Sequence, residues 1–110
     1  MGKDLNVLKS MLEEIEFLQN DMSDVGRESF LNDERLKRSV SMTLINLGEL
    51  ANHLSKEFKK ANGHIPFRGV IDLRNVAAHK YKTLRFEFIW NLVQKDIPSL
   101  KEQIEKIINS

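Results

Sequence analysis

The sequence predicts an all-α protein, a four- to five-helix up-and-down bundle forming one domain over residues 1–110. Three observations predict it. Apolar residues recur at spacings of three and four through three long stretches, the period of one helix face. No sustained alternation with a period of two is present, so no strand is expected. The stretches are separated by short connections rich in Gly, Pro and small polar residues, which favour turns over helix interiors.

Composition sets the outer limits. A chain of 110 residues can bury roughly 60–70% of the surface its unfolded form exposes, enough for a core without staples. The absence of cysteine removes disulfides, thiolate metal sites and cysteine nucleophiles together, and suits a reducing compartment. Met1-Gly2-Lys3-Asp4-Leu5 has no apolar run of the kind a signal peptide carries. Nor does any apolar run approach the roughly 20 residues of a membrane span. The expectation is a soluble cytoplasmic protein that does not contact membranes.

Taken in order, Leu5, Leu8, Leu12, Ile15, Leu18 and Met22 mark a first amphipathic helix from Asp4 to about Asn20, with Glu13, Glu14 and Glu16 outside. It should stop in Asn20-Asp21-Met22-Ser23-Asp24, where short polar side chains compete for backbone hydrogen bonds. Arg27 to Leu31 reads as a connector with one helical turn that tucks Phe30 and Leu31 against the core. Asn32 is expected to cap a long helix of about 28 residues, with Leu36, Val40, Leu44, Leu47, Ala51, Leu54 and Phe58 inward and Met42 and Ile45 widening the stripe. Lys59, Lys60 and Gly63 provide its C-terminal chemistry.

Pro66 is placed as the first residue of a third, shorter helix, with Val70, Leu73, Ala77 and also Val76 as inward candidates. The last helix carries Phe86, Trp90, Val93, Ile97, Leu100, Ile104 and Ile107, with Thr83 as its expected cap. Pro98 lies inside that pattern and predicts a kink or a break near Lys95 to Ile97.

Chemistry concentrates in Leu73-Arg74-Asn75-Val76-Ala77-Ala78-His79-Lys80-Tyr81, where a cation, an acid/base group and the chain's single tyrosine fall within eight positions. The net charge of the chain is +1, but from Arg68 to Arg85 five basic residues (Arg68, Arg74, Lys80, Lys82, Arg85) face one acid, Asp72. A local basic patch points to a phosphate-bearing partner, or is a solvated loop with lysines. Arg74 and His79 are separated by about 140° on an ideal helix, so a shared site needs a distorted helix end or a second protomer. Asn75 and His79 do share a face. Read without further context, Tyr81 is a packing residue with a wet hydroxyl.

Other combinations carry less. Glu49 and His53, four apart, could be half of a metal site, but no third ligand is evident and no metal is expected. His64 sits in a loop. No Gly-x-Ser-x-Gly elbow and no Gly-rich phosphate loop occur. Met11, Met22 and Met42 read as core or interface fillers.

Arg74-Asn75-Val76-Ala77-Ala78-His79-Lys80-Tyr81 resembles the Arg-x4-His-x-Tyr signature of the HepT toxins, a branch of the HEPN ribonuclease superfamily. The resemblance extends over nearly the whole chain. Ser29-Phe30-Leu31-Asn32-Asp33, Ile45-Asn46-Leu47-Gly48-Glu49, Ile65-Pro66-Phe67, Phe88-Ile89-Trp90 and Lys95-Asp96-Ile97-Pro98-Ser99-Leu100-Lys101-Glu102-Gln103 are each similar to phrases of that family. It implies a HEPN-type bundle forming a homodimer, and a metal-independent endoribonuclease toxin of a type VII toxin–antitoxin system, with no cofactor.

By position, Arg74 and His79 would be catalytic and Asn75 supporting, with Arg68, Lys80, Lys82 and Arg85 as RNA-binding residues. The implied antitoxin is an MNT-type nucleotidyltransferase that adds AMP to Tyr81. Asp72 departs from the small residue common in the family and could pair with Arg68 or draw on Arg74; Arg85 stands where an acid often caps the last helix. A different class remains open: a non-catalytic helical module that docks a nucleotidyltransferase partner.

Overall fold

Leu8, Met11, Ile15 and Leu18 share one side of the first helix, α1 (Gly2–Asp21), and all four are essentially buried. The computed structural model describes residues 2–110; Met1 of the N-terminal stretch lies outside them. A turn in which Asp24 adopts a positive φ of 62° leads into α2 (Arg27–Leu31). This single turn drives Phe30 fully into the core, 6.1 Å from the Phe86 ring and 5.9 Å from Trp90.

The long central helix is shorter than its periodicity predicts. α3 runs Glu34–His53, and the chain then turns out at Leu54 and Ser55, both extended, before α4 (Lys56–Ala61). The cause is a competing set of hydrogen bonds. Ser55 Oγ caps α4 by accepting from Phe58 N–H (3.1 Å), while the buried Asp4 carboxylate accepts from Ser55 N–H (2.8 Å) and Ser55 Oγ–H (2.7 Å). Those partners lie fifty-one positions apart, out of reach of any local pattern. At the other end Asp33, not Asn32, caps α3, accepting from Leu36 N–H at 3.0 Å; Asn32 instead closes α2, donating to the Glu28 carbonyl.

α1 and α3 are antiparallel. Three side-chain bonds follow the pairing: Ser39 donates to Asp21 (2.6 Å), Asn46 to Glu14 (3.2 Å) and Ser55 to Asp4. The buried hydroxyls of Ser41 and Thr43 bond back to the carbonyls of Lys37 and Ser39, so neither is left unpaired.

The next helix, α5 (Phe67–His79), takes Pro66 as its N-cap rather than its first residue. Its extensive contact is with α3, and only Phe67 and Ala77 are fully buried. Val76 is exposed, as is Met42 on α3; neither joins the core.

A 3-10 turn, Tyr81–Thr83, leads to the final helical segment: α6 (Phe86–Asn91), a π turn over Leu92–Asp96, and α7 (Ile97–Ile108). Pro98 therefore produces no break. Proline has no N–H and its ring crowds the carbonyl four residues back; widening the turn just before it to the π spacing absorbs both defects. Val93, Ile97, Leu100 and Ile104 stay inward throughout. Thr83 is not the cap of this segment. Its hydroxyl donates to the Lys80 carbonyl, and Arg85 occupies the cap position with no side-chain bond.

The result is an all-α bundle with no strand among the described residues. No described helix is long and apolar enough to cross a membrane.

The backbone and hydroxyl bonds from Ser55 hold the Asp4 carboxyl below its ordinary value of 3.8. A lowered carboxyl pKa stabilises the fold at every pH above the unfolded value, and that gain is lost as pH falls through the folded value. The melting temperature of Asp4→Asn should therefore lie below wild type by a constant interval from neutral pH down to about 4. The interval should narrow in more acidic buffer, as thermal melts over pH would show.

Candidate functional site

Glycine in a helix interior costs stability unless it permits a close approach. Gly48, in the middle of α3, is such a case. A Cβ there would overlap the Cβ of Arg74, meet its Cγ at 2.7 Å and stand 3.0 Å from the Val70 carbonyl oxygen. The absent side chain lets α5 lie directly on α3 and seats the arginine stem on bare backbone.

The guanidinium is then held from two sides. Arg74 Nη2 pairs with Glu49 on α3, and Nη1 donates to Asn75 Oδ1 at 2.9 Å. The Arg74 side chain retains about 30% exposure, while its Nε is buried without a hydrogen-bond partner among the described residues. An arginine half-sunk and bonded in this way is fixed in orientation, with part of its surface left to solvent. Glu49 thus has a role that helix spacing hid, because spacing offered only His53 as its partner. Asp72 does not hold Arg74; it pairs with Arg68, 3.6 Å away in an exposed contact.

His79 is the last residue of α5 and is exposed. It makes no hydrogen bond to Asn75, whose side-chain oxygen is turned to Arg74. Val76, three positions earlier and on the same side of the helix, is 43% exposed. Beside it lies a groove of about 570 Å³ lined by Leu73, Val76, Leu84 and the 58%-exposed Phe88. His79 therefore stands beside an uncovered apolar surface.

Tyr81 follows on the 3-10 turn. Its hydroxyl donates to Glu34 Oε2 (3.0 Å), its ring packs edge-on against Phe86 (5.7 Å), and the Arg38 guanidinium lies 5.1 Å from the ring centre. Burial, with the Glu34 hydrogen bond and charge, raises the phenol pKa above its ordinary 10.0. The Tyr81 bond, with Arg38 and Lys37, lowers that of Glu34. Glu34 and Glu49 are fifteen residues apart on α3, roughly 22 Å along its axis. The structure thus joins Arg74 with Asn75, and Tyr81 with the start of α3, but does not bring these two groups together.

The basic residues divide likewise. Arg68 lines a groove near α4, whereas Lys80, Lys82 and Arg85 are exposed beyond His79. Sequence reasoning gave Glu34 and Arg38 no place in the site, and Glu49 only a half-site with His53, because each acts on α5 or its following turn from a distant point in the chain. Gly48 alone left a local signal, a glycine amid strong helix periodicity.

Gly48→Ala should push α5 off α3, lowering stability by about 1–3 kcal/mol in denaturant titrations and loosening Arg74. Since Tyr81 is the single tyrosine, absorbance titration reads it alone. Ionisation should occur above 10.0, and Glu34→Gln should lower the value without fully restoring it, because burial persists.

The Ribonuclease HepT-like family model matches residues 11–107. Among curated proteins, "Putative RNase TTE0752" of Caldanaerobacter subterraneus is 30% identical over 92% of this chain and 90% of its own. "Probable ribonuclease HepT" of Thermococcus cleftensis is 30% identical over 91% of both chains. "Gamma-glutamylcyclotransferase and putative RNase MJ0434" of Methanocaldococcus jannaschii is 32% identical over 98% of this chain but 49% of its own. No solved structure matches. With an all-α bundle and a correspondence to this family over residues 11–107, the chain belongs to the ribonuclease HepT-like proteins.

Proposed function

We propose that this protein is a metal-independent endoribonuclease, the toxin of a type VII toxin–antitoxin pair acting in the cytoplasm. Arg74 and His79 are its catalytic residues and Asn75 a supporting one. The observation that carries the reading is the anchored Arg74 guanidinium with an exposed histidine on the same helix, in a chain of this family.

RNA provides its own nucleophile. A neutral His79 takes the proton of a 2′-hydroxyl as that oxygen attacks the adjacent phosphorus, and Arg74 binds the charge that builds on the phosphoryl oxygens. The 5′-oxygen leaves with a proton from an imidazolium, giving a 2′,3′-cyclic phosphate and a free 5′-hydroxyl. One chain has one such histidine in this motif, so we place the acid on His79 of the partner subunit in a two-fold homodimer. The uncovered apolar surface of Val76 and Phe88 beside His79 supports a dimer there.

Control falls to Tyr81. An MNT-type nucleotidyltransferase would join the phenol oxygen to the α-phosphorus of ATP, releasing pyrophosphate. Glu34 accepts the phenol hydrogen bond and, in this reading, takes the proton as the ester forms. AMP adds bulk and negative charge two residues from His79, where an RNA phosphate must come.

Purified, unmodified protein should cleave a mixed RNA pool in EDTA, leaving cyclic phosphate ends. His79→Ala and Arg74→Ala should each lose at least about a hundredfold in rate, the usual scale for a lost acid/base or oxyanion partner. Glu49→Gln should weaken activity less, since Arg74 keeps Asn75. Absence of cleavage by a correctly folded dimer would overturn the reading and favour a module that only docks the transferase.

A further inference from the structure

The groove on the opposite side of Arg74 from Tyr81 has not entered the chemistry above. About 570 Å³ in volume, it lies between α4 and α5 and ends at Asn75, the residue that orients Arg74. Its rim carries Lys56, Lys59, Lys60 and Arg68, with Asp72 as the one acid. The floor includes Ile65, Phe67 and Ile71. These lysines converge because the chain breaks at Ser55: had α3 continued straight, they would have been carried away from α5.

We propose that this groove is a second RNA subsite, in which Lys56, Lys59 and Lys60 hold backbone phosphates of a single strand that continues to Arg74. The inference rests on the ribonuclease reading and extends it to substrate binding. Arg68 and Asn75 are seven positions apart on α5, roughly 10 Å along its axis. A strand in the groove therefore reaches Arg74 without leaving the surface of α5. Lys80 and Lys82 lie past the far end of the same helix, so cations bracket the anchored arginine on both sides. Lysine ammoniums around a groove whose lining is partly apolar suit phosphate charge and base surface, with no demand for a particular base. Asp72 opposes this field and is restrained by Arg68.

Salt dependence of binding tests the assignment. His79→Ala protein, titrated with a fluorescent single-stranded RNA over a series of KCl concentrations, would be compared with the same protein carrying Lys56→Gln, Lys59→Gln and Lys60→Gln. Glutamine matches lysine closely in helix propensity, and Lys56→Gln with Lys60→Gln alone provides an exposed pair should the triple variant unfold. A control set, Lys3→Gln, Lys9→Gln and Lys95→Gln, removes equal charge elsewhere on the surface. The groove variant should bind at least about tenfold more weakly and lose about 2 from the slope of log K against log salt, as expected for three phosphate contacts. The control should change little, and Asp72→Asn should bind more tightly.

Equal slopes for groove and control variants would overturn the subsite, while cleavage by wild type, measured in parallel, would leave the ribonuclease reading standing. Failure of the inactive protein to bind RNA at all would overturn the subsite too. Failure of wild type to cleave, with the groove-specific loss of binding intact, would instead remove the catalytic reading and keep the groove.

Discussion

The approach of α5 to α3 at Gly48 is the constraint on which the candidate site depends. α5 buries little of its own surface and has its extensive contact with one neighbour. The missing Cβ lets that contact close, and the close contact in turn lays the Arg74 stem over α3 where Glu49 can pair with its guanidinium. Packing and the candidate site thus share one position. Among the described residues the Nε–H is buried without a partner, an arrangement that costs about 1–3 kcal/mol in general.

A division of labour follows from this arrangement. α1, α3 and the π-bulged final segment hold the apolar core, while α5 and the turn after it are an outer layer carrying polar and charged groups. Buried side chains in the core interlock and leave little freedom. The outer layer is pinned at discrete points instead: Gly48 and Glu49 near its middle, Glu34 and Arg38 at its end. An element pinned in this way holds Arg74 firmly and leaves His79, Lys80 and Lys82 beyond it exposed.

The two breaks in helix regularity are equally consequential. At Ser55 the backbone leaves α3 because Asp4 and the Ser55 hydroxyl satisfy amides that the helix would otherwise hold. The redirected α4 supplies the lysines that line the groove beside Asn75. At Leu92–Asp96 the opposite happens: a proline that should interrupt a helix is accommodated by a wider turn, and the apolar stripe passes through it in register.

Local periodicity was enough to determine the all-α class, the one-turn connector around Phe30, the stretch where polar groups concentrate, and most of the inward residues of α1 and the final segment, although Leu5 and Leu12 are only half-buried and Asp4, Met11 and Ile89 take core positions. Each depends on neighbours within a turn or two. The motif itself was legible as residue types at a spacing, from Arg74 to Tyr81. Tertiary structure alone decided that Glu49 rather than Asp72 holds Arg74, that Glu34 receives the Tyr81 hydroxyl, and that the long helix divides at Ser55. Those outcomes are set by pairs from twenty-five to fifty-one positions apart, whose meeting depends on how the helices pack.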